Sequence, residues 1–210
     1  MDGAREMQQS MTTTIPAKDV AALRARTGAG MMDCRNALAE TNGDMEKAVD
    51  LLRTKGIARG EKRAGRSASE GLIASYVHFN GKIGVLVELS CETDFVARTE
   101  DFQGLARDLA LHVASADPLA VTIDDLPGDV VERERAIFRA QAAESGKPEK
   151  IWDKMVEGKL RKFYEERVLL EQRFVKDDKQ TVGQLVKAVS GKVGENVVVR
   201  RFVRFSLGNG

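Results

Sequence analysis

EGLIASYVHFNGKIGVLVELS, Glu70 to Ser90, carries the pattern on which the fold turns. Two apolar runs, Leu72 to Phe79 and Lys82 to Ser90, flank Asn80-Gly81, and Ile83, Val85, Val87 and Leu89 alternate onto one face. Period-two alternation is the signature of a half-buried strand. Asn-Gly supplies the positive φ values that a tight two-residue connection needs, so the stretch predicts a β-hairpin.

A third strand is expected from Glu195 to Ser206, where Val197, Val199, Val203 and Phe205 fall on one face with Arg201 interrupting them. Between the hairpin and this strand the period changes to that of helices. Thr93 opens a helical stretch to about Ala116, in which Phe102, Leu105, Leu109 and Val113 recur at helical spacing before Asp117-Pro118 stops it. Further helices are read at Asp129 to Ser145, at Glu149 to about Glu166, and at Thr181 to Ser190. Residues Val168 to Phe174 stay ambiguous between strand and loop. Three strands that can pair antiparallel, covered by helices, make an α+β core.

Upstream, Pro16 to Leu52 reads as three short helices carrying Val20 and Leu23, Ala37 and Leu38, and Val49 and Leu52. Their breaks, Thr27-Gly28-Ala29-Gly30 and Thr41-Asn42-Gly43-Asp44, hold residues that accept positive φ, and Asp44 can cap the next helix. Arg53 to Arg66, RTKGIARGEKRAGR, has three glycines and six basic residues against the single acid Glu61, the composition of an exposed linker with helical portions. The expected organisation is a polar, disordered leader at 1–14 with Met11 as an alternative start, a three-helix module at 15–54, a basic linker at 55–69 and the α+β core at 70–210.

Composition limits the function. A 210-residue chain with 42% hydrophobic and 31% charged residues suits globular folding. A net charge of +1 is not that of a general polyanion binder. Cys34 and Cys91 form neither a disulfide framework nor a zinc pattern, which fits a reducing compartment, the cytoplasm or an organelle interior. No apolar run is long enough to span a bilayer. Phosphate loops, dinucleotide fingerprints and nucleophile elbows are missing, and His78 and His112 have no neighbour at triad or metal-ligand spacing. Neither a catalytic residue, a metal nor a cofactor is expected, and the enzyme reading ranks last.

Two stretches invite a binding role. Met31-Met32 follows a glycine-rich break, where flexible apolar side chains serve either as an adaptable contact surface or as part of a small core. Thr93-Asp94-Phe95-Val96 lies where strand passes to helix, so Thr93 or Asp94 can cap the helix start. Phe95 and Phe102 are seven apart, a spacing that by itself favours Phe95 in the core.

Four ordered stretches, RARTGAGMMDCRNAL at Arg24 to Leu38, CETDFVA at Cys91 to Ala97, SGKPEKIWDKMVEGKLRKF at Ser145 to Phe163 and TVGQL at Thr181 to Leu185, resemble the elongation factor Ts family. That likeness runs from about Asp19 to Phe205. It implies a nucleotide exchange factor, not an enzyme, that binds elongation factor Tu in its GDP-bound and nucleotide-free states and promotes exchange of GDP for GTP. The first module is then similar to ubiquitin-associated domains and docks on the partner through Arg24, Met31 and Met32.

By the same resemblance Thr93, Asp94, Phe95 and Val96 dislodge Mg²⁺ from the partner, with Phe95 as the wedge, reversing the expectation from periodicity. His112, Val193 and Gly194 match positions that touch a second region of the partner, away from the nucleotide. Leu111-His112 stands where Met-His is usual. Long members carry a duplicated core, a protruding helical hairpin and a C-terminal helical module. This chain looks like a short form with one core unit, and short members can be homodimers. No membrane and no direct nucleic acid are expected as partners. The alternative from a different class is an RNA-binding protein acting through the basic linker, although no aromatic residue is interleaved there to stack on bases.

Overall fold

The computed structural model describes residues 15–208, so the expected leader at 1–14 lies outside the described residues. The chain divides into two compact units, up to Gly56 and from Ile57 onward.

In the first unit, α1 (Ala17–Thr27), α2 (Met31–Glu40) and the start of α3 (Met45–Glu61) enclose a small core of Val20, Leu23, Cys34, Ala37, Leu38, Ala48 and Leu52. The breaks follow the local chemistry. Gly28 caps α1 at φ 63°, Asn42 and Gly43 turn at φ 53° and 82°, and Asp44 Oδ1 accepts from the Lys47 amide at 3.1 Å. The charged run after Leu52 continues as helix through Glu61, since its Lys, Arg and Ala residues are good helix formers. Its Gly60 is required: a Cβ there would lie 2.1 Å from the carbonyl oxygen of Lys187.

The second unit is built on β1 (Glu70–Val77), β2 (Ile83–Cys91) and β5 (Val198–Ser206), an antiparallel sheet in the order β1-β2-β5. Leu72, Ala74, Tyr76, Val85, Val87, Leu89 and Val199 face a core closed by α5 (Glu100–Ala116) and α8 (Val182–Val193) through Phe102, Leu105, Leu109, Val113, Val182 and Val186. The expectation that Val197, Val199, Val203 and Phe205 share a face fails. A bulge lies between the pairs Glu88↔Arg201 and Leu89↔Val199, which leaves Arg200 without a cross-strand partner. One extra residue in a period-two strand exchanges its faces. Beyond the bulge Phe202 packs on the core and Arg204 reaches the Ala114 carbonyl, while Val203 and Phe205 turn outward.

The ambiguous stretch after Val168 is ordered. Val168 bridges Ala120, and β3 (Arg173–Phe174) pairs with β4 (Asp177–Thr181). The helices α6 (Gly128–Glu144) and α7 (Trp152–Arg167) form a hairpin joined by Gly146 at φ 71°, with Trp152 Nε1 donating to the Lys147 carbonyl at 2.9 Å. A helical hairpin, associated above with long members, is therefore present in this chain.

Candidate functional site

The Thr93–Val96 segment begins where β2 ends. Instead of one helix to Ala116 there are two: α4 (Asp94–Ala97) stops at Arg98, and Thr99, extended at φ −71°, ψ 148°, caps α5 by accepting from the Phe102 amide. This break removes the helical phase that links Phe95 to Phe102. Phe102 is wholly buried, whereas Phe95 is 77% exposed. The periodicity reading that favoured a core Phe95 is corrected by a threonine cap.

Each residue of the segment has a distinct setting. Thr93 caps α4, its hydroxyl accepting from the Val96 amide. Val96 is buried in the core cluster. Asp94 is ion-paired with Arg98 at 2.6 Å on an exposed face, one residue from the bare Phe95 ring. The adjoining Cys91 thiol is buried and donates to the Thr93 carbonyl at 3.1 Å. Burial, with the negative charge of Glu195 adding to it, pushes that thiol up to about 11. It stays protonated at neutral pH and is no nucleophile.

A second chain segment holds this one. The Glu195 carboxylate accepts from the Glu92 amide at 3.0 Å, the Thr93 amide at 2.9 Å and the Thr93 hydroxyl at 2.6 Å. In return the Glu92 carboxylate accepts from the Asn196 amide at 2.7 Å. Sequence reasoning missed both glutamates. A Glu beside Thr93 and a Glu in a Gly-Glu-Asn turn look like ordinary surface charge, and only the fold brings them together.

The remaining residues separate. In the first unit Met31 and Met32 are 48% and 62% exposed, and Arg24 is exposed on α1. Neither methionine completes the small core. Gly194 ends α8 at φ 83° and its carbonyl accepts from Arg63 Nε, so Val193-Gly194 adjoins the Glu195 clamp and the Thr93 segment.

His112, expected to touch a partner, is instead wholly buried. Its Nε2 faces Gln172 Oε1 at 2.9 Å and its Nδ1 accepts from the Val175 amide at 3.3 Å, which fixes the neutral Nε2–H tautomer. Burial lowers its pKa below the usual imidazole value, against the raising effect of Gln172. In this structure the ring anchors the β3–β4 turn from inside.

Among the described residues no cluster of His, Cys, Asp and Glu could hold a metal ion, and no helix is long and apolar enough to cross a membrane. Within the basic run Arg63 donates to the carbonyls of Gly194 and Arg59, and Arg66 lies 3.6 Å from Glu92.

A family model described as "Elongation factor TS" matches residues 16–209. The chain belongs to the elongation factor Ts family. It is 56% identical over 196 residues to the elongation factor Ts of Desulforamulus reducens, covering 93% of this chain and 90% of that protein. With the elongation factor Ts of Syntrophobacter fumaroxidans the identity is 53% over 199 residues, covering 95% of this chain and all of its relative. The counterpart from Fervidobacterium nodosum is 54% identical, covering 92% and 98%. Family membership makes the chain a translation elongation factor.

Proposed function

We propose that the protein is a guanine-nucleotide exchange factor that acts in the cytoplasm on elongation factor Tu, with Phe95 as the wedge and Asp94 beside it. The reading is carried by one observation: a large aromatic ring stands out of a short, tightly held helix in one of the stretches that carry the family resemblance. Exposing a phenylalanine forgoes roughly 1.5–3 kcal/mol of burial, a cost that a partner's apolar cleft can recover.

Exchange requires no reactive group on the factor. Mg²⁺ demands near-ideal octahedral geometry, so a shift of about an ångström in the groups that support it weakens metal and phosphate binding together. A factor that binds the nucleotide-free partner most tightly lowers GDP affinity, and by reciprocity incoming nucleotide expels the factor. Thr93 and Val96 hold the wedge, Met31, Met32 and Arg24 supply a separate docking surface, and Val193-Gly194 borders the wedge. His112 acts through the turn that it anchors.

A second copy of the chain completes the reading. The outer sheet face is apolar and bare: Val77↔Gly84↔Phe205 and Ser75↔Leu86↔Val203 lie in adjacent cross-strand rows. A two-fold axis would lay two such faces together.

The primary test follows release of fluorescent GDP from elongation factor Tu. Saturating protein is expected to accelerate release by at least about a hundredfold, equivalent to ~2.7 kcal/mol, and unchanged release would sink the proposal.

A further inference from the structure

The Glu195 carboxylate is placed for a task that burial alone does not explain. It receives three hydrogen bonds from Glu92 and Thr93, at 3.0, 2.9 and 2.6 Å, across a separation of more than 100 residues. Two of the donors are backbone amides at the junction of β2 and α4, where a helix start leaves N–H groups without intrahelical partners. Bonds to an ionised acceptor are about twice as strong as neutral ones.

Glu195 is itself held in place. Its carbonyl accepts from the Ser190 hydroxyl at 2.5 Å, and the Asn196 side chain donates to the Arg66 carbonyl at 2.7 Å. The reciprocal bond from the Asn196 amide to Glu92 at 2.7 Å closes the clamp from the other side. The turn after α8 and the turn after β2 are thereby fastened together at the residues that immediately precede the exposed Asp94 and Phe95.

From this geometry we infer that Glu195 is a positioning residue for the wedge. It acts by holding Thr93 so that Phe95 meets the partner at a fixed angle. A four-residue helix is too short to hold its own direction by internal hydrogen bonds. Val96 and Ala97 anchor its inner side in the core, and Glu195 fixes its leading end. Pre-organisation of this kind acts on the chemistry of release and not on the remainder of the interface. The inference rests on the exchange-factor reading above and adds to it a residue that lies outside the four stretches quoted for the resemblance.

The test compares Glu195→Ala and Glu195→Gln with the wild type in the full-length protein. With Glu195→Ala, GDP release from elongation factor Tu at saturating factor should fall about tenfold, while the factor concentration giving half-maximal effect moves less than about twofold. Hydrogen exchange at the Glu92 and Thr93 amides should speed up at least about tenfold. Glu195→Gln keeps one acceptor oxygen and should lie between the two in both measurements. It also carries the comparison should Glu195→Ala not fold.

A saturating rate equal to wild type in Glu195→Ala overturns the inference, as does a rate loss matched by an equal loss of affinity. Amides that stay protected in that variant overturn the clamp alone. A wild-type protein that leaves GDP release unchanged overturns the exchange-factor reading itself.

Discussion

Phe95 and Phe102 are the same residue type seven positions apart, and one is bare while the other is fully enclosed. Replacing Phe95 with Ala should therefore shift unfolding stability by no more than about 0.5 kcal/mol. The same change should slow factor-stimulated GDP release at least about tenfold, or ~1.4 kcal/mol of barrier. Thermal melting alongside fluorescent-GDP kinetics separates the two effects, and a stability loss of several kcal/mol would return Phe95 to the core. His112 is the opposite case, expected at an interface and found inside. Its folded pKa is lowered, so between the unfolded value near 6.5 and the folded value the unfolded chain binds the extra proton. Its contribution is present above about pH 6.5 and is lost as pH falls through the folded pKa. Urea midpoints of wild type and His112→Gln should accordingly converge on going from pH 7.5 to 5, and a gap that widens would refute the assignment.

At the scale of elements, most of the framework was legible because hydrophobic period reports which face is buried. The Glu70–Ser90 hairpin and the amphipathic run of α5 follow directly from it. The misread elements share a cause, since a single local feature overrides the period. Thr99 splits one expected helix into α4 and α5, and the bulge at Arg200 exchanges the two faces of β5. The β3–β4 pair was invisible because Asp177–Thr181 is polar throughout and shows no alternation. Gly71, like Gly60, marks a close approach that no pattern reveals. Gly71 sits at φ +147°, and a Cβ there would lie 2.1 Å from the Leu89 carbonyl oxygen. Gly71→Ala should destabilise the protein by about 3 kcal/mol through backbone displacement at the β1–β2 pairing. Chemical denaturation measures this directly, and a loss under about 0.5 kcal/mol would mean that the strands part there at little cost.

For the whole molecule, the bulge in β5 decides what the sheet can meet. It sends Phe205, 68% exposed, to the outer face across Gly84 from Val77, while Arg201 and Glu88 form an ion pair at 2.7 Å two rows away on that face. If two copies bury this face, Phe205→Glu places an unpaired carboxylate in an apolar contact and should weaken dimerisation at least about a hundredfold, or ~2.7 kcal/mol. Light scattering across a concentration series reads the change, and a wild type that stays monomeric at high micromolar concentration would refute the dimer. The sequence by itself determined the α+β class, the three-helix module and the family, because period, turn residues and ordered motifs are local properties. Only the tertiary structure decided which phenylalanine is bare, that His112 is an anchor, and that Glu195 grips Thr93. Those outcomes depend on a helix cap, a strand bulge and a meeting of residues about a hundred positions apart, none of which is written in the spacing of apolar side chains.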